Sequence, residues 1–379
     1  MANTVIYDFL VIGAGMAGAS AAYALSAQGS VLVLEAEDVT GYHATGRSAA
    51  LFTRNYGCTT VRAVNAASVA FYKSPPPGFC DTPLLMPRGC LTVASAALAG
   101  ELDAVLALST PDAEIVEVAP QEARAMVPFL RPDAVARAVY EAGVSDIDVA
   151  TLHLSYLKAA KARGALVLTR QPVAALTRQG TCWRVDTAHD SFQAKTVINA
   201  AGAWADKVGR MAGAQPIGLV PMRRTAIIVA GPDGVDCGAM PAVDFAGTDA
   251  YLKPDAGKLM ASPGDAVPVE PHDAWADDMD IAVLADWIMQ QTTLEITRIE
   301  HSWAGLRSFV PDGAPVVGFD PVVPDFVWLA GQGGYGIMMA PALAALTADL
   351  CAGSKTPLTA QFAQALSPLR VMPPKETGV

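Results

Sequence analysis

Basic side chains are in short supply: 26 Lys and Arg stand against 37 Asp and Glu, a formal net charge of −11. That balance favours solubility and argues against a partner built on a phosphate backbone, and no local basic patch offsets it. Cysteine is sparse as well. Cys58, Cys80, Cys90, Cys182, Cys237 and Cys351 are scattered without a CxxC pair, so they read as reduced intracellular thiols and argue against structural zinc. No HxxxH, DxDxDG or P-loop spacing occurs, which leaves metal and ATP chemistry without a motif. Repeats and low-complexity segments are missing too. Uncharged runs of membrane length are imitated twice, at Phe9 to Leu34 and Phe326 to Ala348. The first is broken by Gly13, Gly15, Gly18 and Gly29, the second by Gln332, four glycines and Pro341. Buried parallel strands joined to small-residue helices give such hydropathy without lipid. The residues before Phe9 lack the basic start of a secretion signal. The expectation is therefore a cytoplasmic protein without a transmembrane segment, with peripheral attachment to the inner membrane left open.

What is present is length enough for two domains, 379 residues. The apolar run Tyr7 to Ile12, the alanine-rich helical stretch Met16 to Gln28, the stop at Gly29 and the second run Val31 to Leu34 form a βαβ unit. Between Tyr56 and Ile147 the character changes, with Pro75, Pro76 and Pro77 in a row and a helix-like Gln121 to Met126. Strands at hairpin spacing follow at Leu166 to Leu168, Val173 to Leu176, Cys182 to Thr187 and Thr196 to Asn199. A second excursion, Pro221 to Glu300, holds a strand at Arg224 to Ala230 and a helix at Ile281 to Gln291. Phe326 to Ala330, a glycine turn and Ile337 to Leu350 read as strand, turn and helix. The expected class is α/β with α+β character: a Rossmann-like nucleotide domain over residues 1–82, 147–220 and 301–379, interrupted by a β-sheet-rich substrate domain over 83–146 and 221–300.

The segment Gly13-Ala14-Gly15-Met16-Ala17-Gly18 follows the first strand and opens the first helix, and Glu35-Ala36 closes the next strand. Gly13 permits a tight turn, Gly15 lets the backbone approach a pyrophosphate, and Gly18 lets helix and strand approach each other closely. The helix N-terminus faces the phosphate charge, and Glu35 is placed for ribose hydroxyls. This is a dinucleotide fingerprint. The choice of FAD over NAD rests on the continuation Gly41 to Ala50, a small-residue segment able to lie against a flat ring system.

At this point a resemblance emerges. Thr45-Gly46-Arg47-Ser48-Ala49-Ala50, Pro76-Pro77-Gly78-Phe79-Cys80, Asn199-Ala200-Ala201-Gly202-Ala203-Trp204, Tyr251-Leu252-Lys253-Pro254-Asp255-Ala256-Gly257, Trp303 to Phe309 and Gln332-Gly333-Gly334-Tyr335-Gly336-Ile337 make the chain similar to the D-amino-acid oxidase and glycine oxidase superfamily. Within it the likeness is to the bacterial D-arginine dehydrogenase group. The resemblance implies FAD, contacted by Thr45, Arg47, Ser48, Ala49, Ala50, Val173, Ala201, Gly202, Trp204, Gly333, Gly334, Tyr335, Gly336 and Ile337. A histidine near His43 carries the flavin covalently in some related amine dehydrogenases but not in that group, so non-covalent binding is expected.

Oxidising an amino acid needs a fixed carboxylate and a Cα–H turned toward the flavin. Arg224 and Arg307 are the candidates for the carboxylate, since a guanidinium offers paired donors of matching geometry. Tyr251 and Tyr56 can add hydroxyl contacts. By resemblance all four fall on substrate positions, and Gly305 supplies a carbonyl to the amine. Arg223 points to the opposite strand face from Arg224 and reads as structural. The glutamate and histidine of the D-arginine dehydrogenase type align here with Cys90 and Leu51, and Met338 adds a further apolar side chain, whereas Asp244 acts in the opposite sense. The resulting expectation is oxidative deamination of neutral D-amino acids to imino acids, which hydrolyse to keto acids and ammonia. Two alternatives stay open, a secondary-amine, glycine, sarcosine or proline oxidase, and a flavin-binding protein without turnover. The electron acceptor, whether quinone, electron carrier or oxygen, is not legible.

Overall fold

The computed structural model describes residues 5–372. Two sheets dominate it, and each follows from its sequence pattern. Val31–Leu34 is buried at all four positions, and Ile6–Ile12 becomes fully buried toward its C-terminal end. Continuous apolar strands of this kind need cover on both faces and belong to parallel sheets. They do pair in parallel here, with Leu166–Leu168 beyond Val31–Leu34 and Ser191–Asn199 on the other side of Ile6–Ile12. Ser191–Asn199 is long enough to share its second edge. Its first half takes Cys182–Thr187 and Val173–Gln179 as an antiparallel meander, and its last residues take Phe326–Ala330 in parallel, with Val316–Phe319 antiparallel outside that strand. Helices Met16–Leu25 and Gly336–Cys351 join in the core through Ala21, Ala22, Leu25, Leu343 and Leu346. The two uncharged runs thus fold as strand–helix–strand and strand–turn–helix. Among the described residues no helix is long and apolar enough to cross a membrane.

The second sheet has nine strands. From one edge it runs Val267–Pro268, Val220–Val229, Lys258–Ser262, Tyr251–Asp255, Ala242–Phe245, Cys90–Ala94, Arg137–Glu141, Ile115–Val118, and His301–Phe309 also pairs with Val220–Val229. Most neighbours are antiparallel, but Ala242–Phe245 and Cys90–Ala94 run in parallel. Leu51–Phe52, Ser145–Ile147 and Leu85–Pro87 form a short, separate three-stranded sheet with Ser145–Ile147 at its centre.

One boundary departs from expectation. His301–Phe309, grouped by sequence with the nucleotide domain, is a strand of the second sheet, held along its whole length against Val220–Val229. The physical reason is its own alternation: Ala304, Leu306 and Ser308 are buried while His301 is exposed and its other residues are half-buried. That pattern suits a sheet covered unequally on its two faces.

Candidate functional site

A cavity of about 450 Å³ runs between the two sheets, from Glu35 and Gly13 at one end to Arg224, Tyr251 and Arg307 at the other. At the first end the fingerprint loop is shaped by its glycines. Gly13 has φ +98, and a Cβ there would lie 2.6 Å from the Ala200 carbonyl oxygen; one on Gly18 would lie 1.8 Å from the Gly13 oxygen. Gly15 differs, because its only close neighbour would be the Thr45 hydroxyl at 3.2 Å. The open side of Gly15 is the cavity itself. Glu35 Oε2 accepts from the Ala14 N–H at 2.8 Å, and the Thr45 hydroxyl accepts from the Met16 N–H at 2.9 Å. Ala14 and Met16 therefore shape the loop with N–H groups already used. Gly15 and Ala17 keep theirs without a partner among the described residues. An anion at this helix N-terminus would find both.

Farther along, Arg47 is bound on three sides: Nη1 donates to the Ala274 and Ala304 carbonyls at 2.9 and 3.1 Å, and Nη2 to Asp273 at 2.5 Å. The Trp303 indole donates to the Arg47 carbonyl at 3.1 Å. Ser48 and Ala49 then line the cavity with Thr45, Val173, Ala201, Gly202 and Trp204, while Ala50, at φ +58, turns the chain away. Gly333, Gly334, Gly336 and Ile337 line the far wall; Gly18 and Tyr335 do not line the cavity. A Cβ on Gly333 would meet the Phe309 ring at 2.4 Å. Helix Gly336–Cys351 begins here without a side-chain cap, and its first two residues, Gly336 and Ile337, line the cavity. Gln332 was not singled out from the sequence, although it stands first in the quoted glycine motif. Its Nε2 is buried with no partner among the described residues, and the side chain lines the cavity. An orphaned donor, uncapped N–H groups and glycines with an open side fit a long, polar, partly planar ligand such as FAD.

At the other end the second sheet supplies the charge. Register sets Arg224 opposite Gly305 and Met222 opposite Arg307, which puts both arginines on one face. Arg224 Nε donates to the Asp265 carbonyl at 2.6 Å, while the Asp265 carboxylate is engaged by the Thr225 N–H at 2.7 Å. Neither guanidinium has a carboxylate in ion-pair range among the described residues. Burial depresses the Arg224 pKa, the Arg307 charge adds to the depression, and the phenols of Tyr56 and Tyr251 oppose it. Tyr335 is pushed up to about 12 by burial, and its ring lies 5.2 Å from that of the exposed Tyr56. A Cβ on Gly334 would be 3.0 Å from Arg307 Nη1. Arg223 faces the other way and donates to Asp280 at 2.5 Å. The structure brings Arg224, Arg307, Tyr56, Tyr251 and Gly305 to one place.

Leu51, Cys90, Asp244 and Met338 lie outside the cavity lining. Cys90, buried, packs with Leu51 and donates to Asp244 at 3.4 Å. The Asp244 side chain reaches solvent but is crowded by protein atoms, and the resulting desolvation raises its pKa to about 6. It stands cross-strand from Tyr251. Glu141, missed in the sequence, pairs with Cys90, accepts from the Thr53 hydroxyl at 2.9 Å, and has its pKa raised by burial. Met338 is buried in the core, its sulfur 3.5 Å from the Thr53 nitrogen.

A family model described as FAD dependent oxidoreductase matches residues 8–350. The mitochondrial sarcosine dehydrogenase of Homo sapiens is 28% identical over 242 residues, 59% of this chain and 26% of that protein, so the chain spans about a quarter of that relative. The glycine oxidase of Bacillus licheniformis is 24% identical over 369 residues, 92% of this chain and 94% of that protein. Among solved structures, L-proline dehydrogenase from P. horikoshii superposes with a TM-score of 0.82 at 22% identity, covering 97% of this chain and 98% of that one.

Proposed function

The chain belongs to the family of FAD-dependent oxidoreductases, and from that premise we propose that it oxidises the Cα–N bond of a small amino acid or N-substituted amino acid. The observation that carries this reading is the pair of half-buried guanidiniums, Arg224 and Arg307, on one sheet face without a carboxylate of their own among the described residues. Two such cations side by side are costly unless an anion joins them. A substrate carboxylate meets that need, with Tyr56 and Tyr251 adding hydroxyl contacts and the Gly305 carbonyl accepting from the amine. FAD, when bound, supplies the two-electron acceptor for the hydride leaving the substrate carbon. The protein's own part is positioning and electrostatics: the arginines fix the carboxylate end, the carbonyl fixes the nitrogen, and the uncapped helix N-terminus favours negative charge at the glycine wall. The imine product then hydrolyses in water to an oxo acid and ammonia or an amine.

For the substrate, the named relatives favour the alternative over the D-amino acid expectation: glycine, sarcosine and proline types stand ahead of neutral D-amino acids. Asp244 and Glu141 support a second reading, in which a substrate reaching past Tyr251 with a cationic or N–H-bearing end is accepted. Anaerobic mixing with glycine, sarcosine, L-proline, D-alanine, D-leucine and D-arginine tests both. Bleaching of the oxidised flavin band by the first three is the expected result. Bleaching by D-arginine alone transfers the assignment to the second reading, and no bleaching by any of them overturns amino acid oxidation.

A further inference from the structure

Lys253 is buried, 6% exposed, on the strand Tyr251–Asp255 and two residues beyond Tyr251, hence on the same sheet face. Its ammonium lies 3.2 Å from Asp146 Oδ1. Asp146, itself buried, already has a cation: Arg88 reaches its other oxygen through Nε at 2.7 Å and Nη2 at 2.6 Å. Two cations thus converge on one carboxylate, but both Arg88 nitrogens take Oδ2, and Lys253 stands near Oδ1 without a hydrogen bond to it. A buried lysine carries a desolvation cost that an ion pair lacking a hydrogen bond does little to offset. Its other contact supplies the reason. Lys253 Nζ donates to the Ala49 carbonyl at 2.9 Å, and Ala49 lines the cavity assigned to FAD. The next residue, Ala50, sits at φ +58, a left-handed conformation that an alanine adopts only under constraint from its surroundings. Beyond the turn, the Ala50 carbonyl accepts from the Ile147 N–H at 2.8 Å, next to Asp146.

We propose that Lys253 is a positioning residue for the flavin: backed by Asp146, it clamps the Ala49 carbonyl and holds the left-handed turn at Ala50, so that the Ser48–Ala49 wall stands at the spacing FAD requires. This inference rests on the FAD assignment and not on the substrate reading, so a failed substrate screen leaves it untouched. The chain of contacts runs from Arg88 through Asp146, on the small three-stranded sheet, and Lys253, on the second sheet, to the flavin wall at Ala49.

The test is FAD affinity, read by titrating apoprotein with FAD and following flavin fluorescence, with apoprotein melting temperature measured in parallel. Lys253→Met is expected to raise the FAD dissociation constant about tenfold, the scale of one charge-assisted hydrogen bond, and to change the visible circular dichroism of the bound flavin. Lys253→Arg, which keeps a charged donor, is expected to recover most of the affinity. Arg88→Met removes the other cation without touching Ala49 and is expected to lower the apoprotein melting temperature while leaving FAD affinity within about threefold of wild type. A merely structural lysine would behave as Arg88 does. Wild-type affinity and an unchanged spectrum in Lys253→Met overturn the proposal, as does an equal loss of affinity in Arg88→Met. Should Lys253→Met fail to fold, Lys253→Gln, too short to reach Ala49 and uncharged, carries the same expectation and the same overturning result.

Discussion

Arg223 and Arg224 are neighbours in sequence and opposites in surroundings. Arg223 is matched to Asp280, whereas Arg224, held by the Asp265 carbonyl, and Arg307 have no carboxylate in ion-pair range among the described residues. Arg224→Leu and Arg307→Leu should each lower kcat/KM about ten- to 150-fold, the worth of roughly 1.5–3 kcal/mol for a charged hydrogen bond to substrate. Arg223→Leu should cost stability and little catalysis; stopped-flow reduction kinetics on the three variants separate the outcomes. Strand alternation made the opposed directions of these arginines readable from sequence. The state of Asp244 was not readable, since it depends on a parallel pairing with a strand some 150 residues earlier, which brings Cys90 to it. With its folded-state pKa near 6 and above the usual 3.8, Asp244 favours the fold most when protonated. Its contribution is greatest below about pH 4 and is lost as pH rises through 6. Over the same window its charge appears, so affinity for a substrate with a cationic far end should climb. Asp244→Asn should flatten both trends, in melting temperature and in KM measured from pH 5 to 8.

Glycines within one turn of chain serve different masters, and substitution can tell them apart. Gly18 touches protein: an added methyl would collide with the Gly13 carbonyl. Gly18→Ala should therefore destabilise the apoprotein itself, by about 1–3 kcal/mol as overpacking does. Gly15 has ordinary backbone angles and faces open space apart from the Thr45 hydroxyl. Gly15→Ala should melt close to wild type as apoprotein and yet bind FAD much more weakly, a contrast that thermal melts with and without FAD would expose. Elements of this kind were legible because their cause is local. Glycine spacing, strand, helix and acid all fall within Tyr7 to Glu35, and the helix at Gly336 announced itself by its glycines. The strand His301–Phe309 was not, because the partner that places it in its sheet, Val220–Val229, lies about 80 residues earlier in the chain.

At the scale of the whole molecule, neither sheet makes the site alone. In the proposed function the first supplies the groove for FAD and the second a face with two cations lacking a carboxylate among the described residues, and the ligand closes the gap. Occupancy should then stabilise the protein as a unit. At FAD one hundred times its dissociation constant the gain is about 2.7 kcal/mol, seen as a melting temperature that climbs by several degrees with FAD concentration. Acid precipitation should release that flavin into the supernatant, because His43 is already engaged with Glu37 at 2.8 Å and Trp204; yellow colour retained in the pellet would refute non-covalent binding.

The first helix and the last long one lie side by side, and Gln28 donates to the Ala348 carbonyl at 3.0 Å across 320 residues. On the ribosome this means that the fingerprint emerges early and its companion late. At about 5–20 residues per second the nascent N-terminal unit waits for tens of seconds with an alanine-lined flank bare. That interval is when a holdase would engage it. Flavin uptake then waits for the later helix: chains stalled with Phe326–Ala330 still inside the exit tunnel should emerge colourless, and those stalled with residue 351 well clear of it should take up FAD while still attached to their transfer RNA.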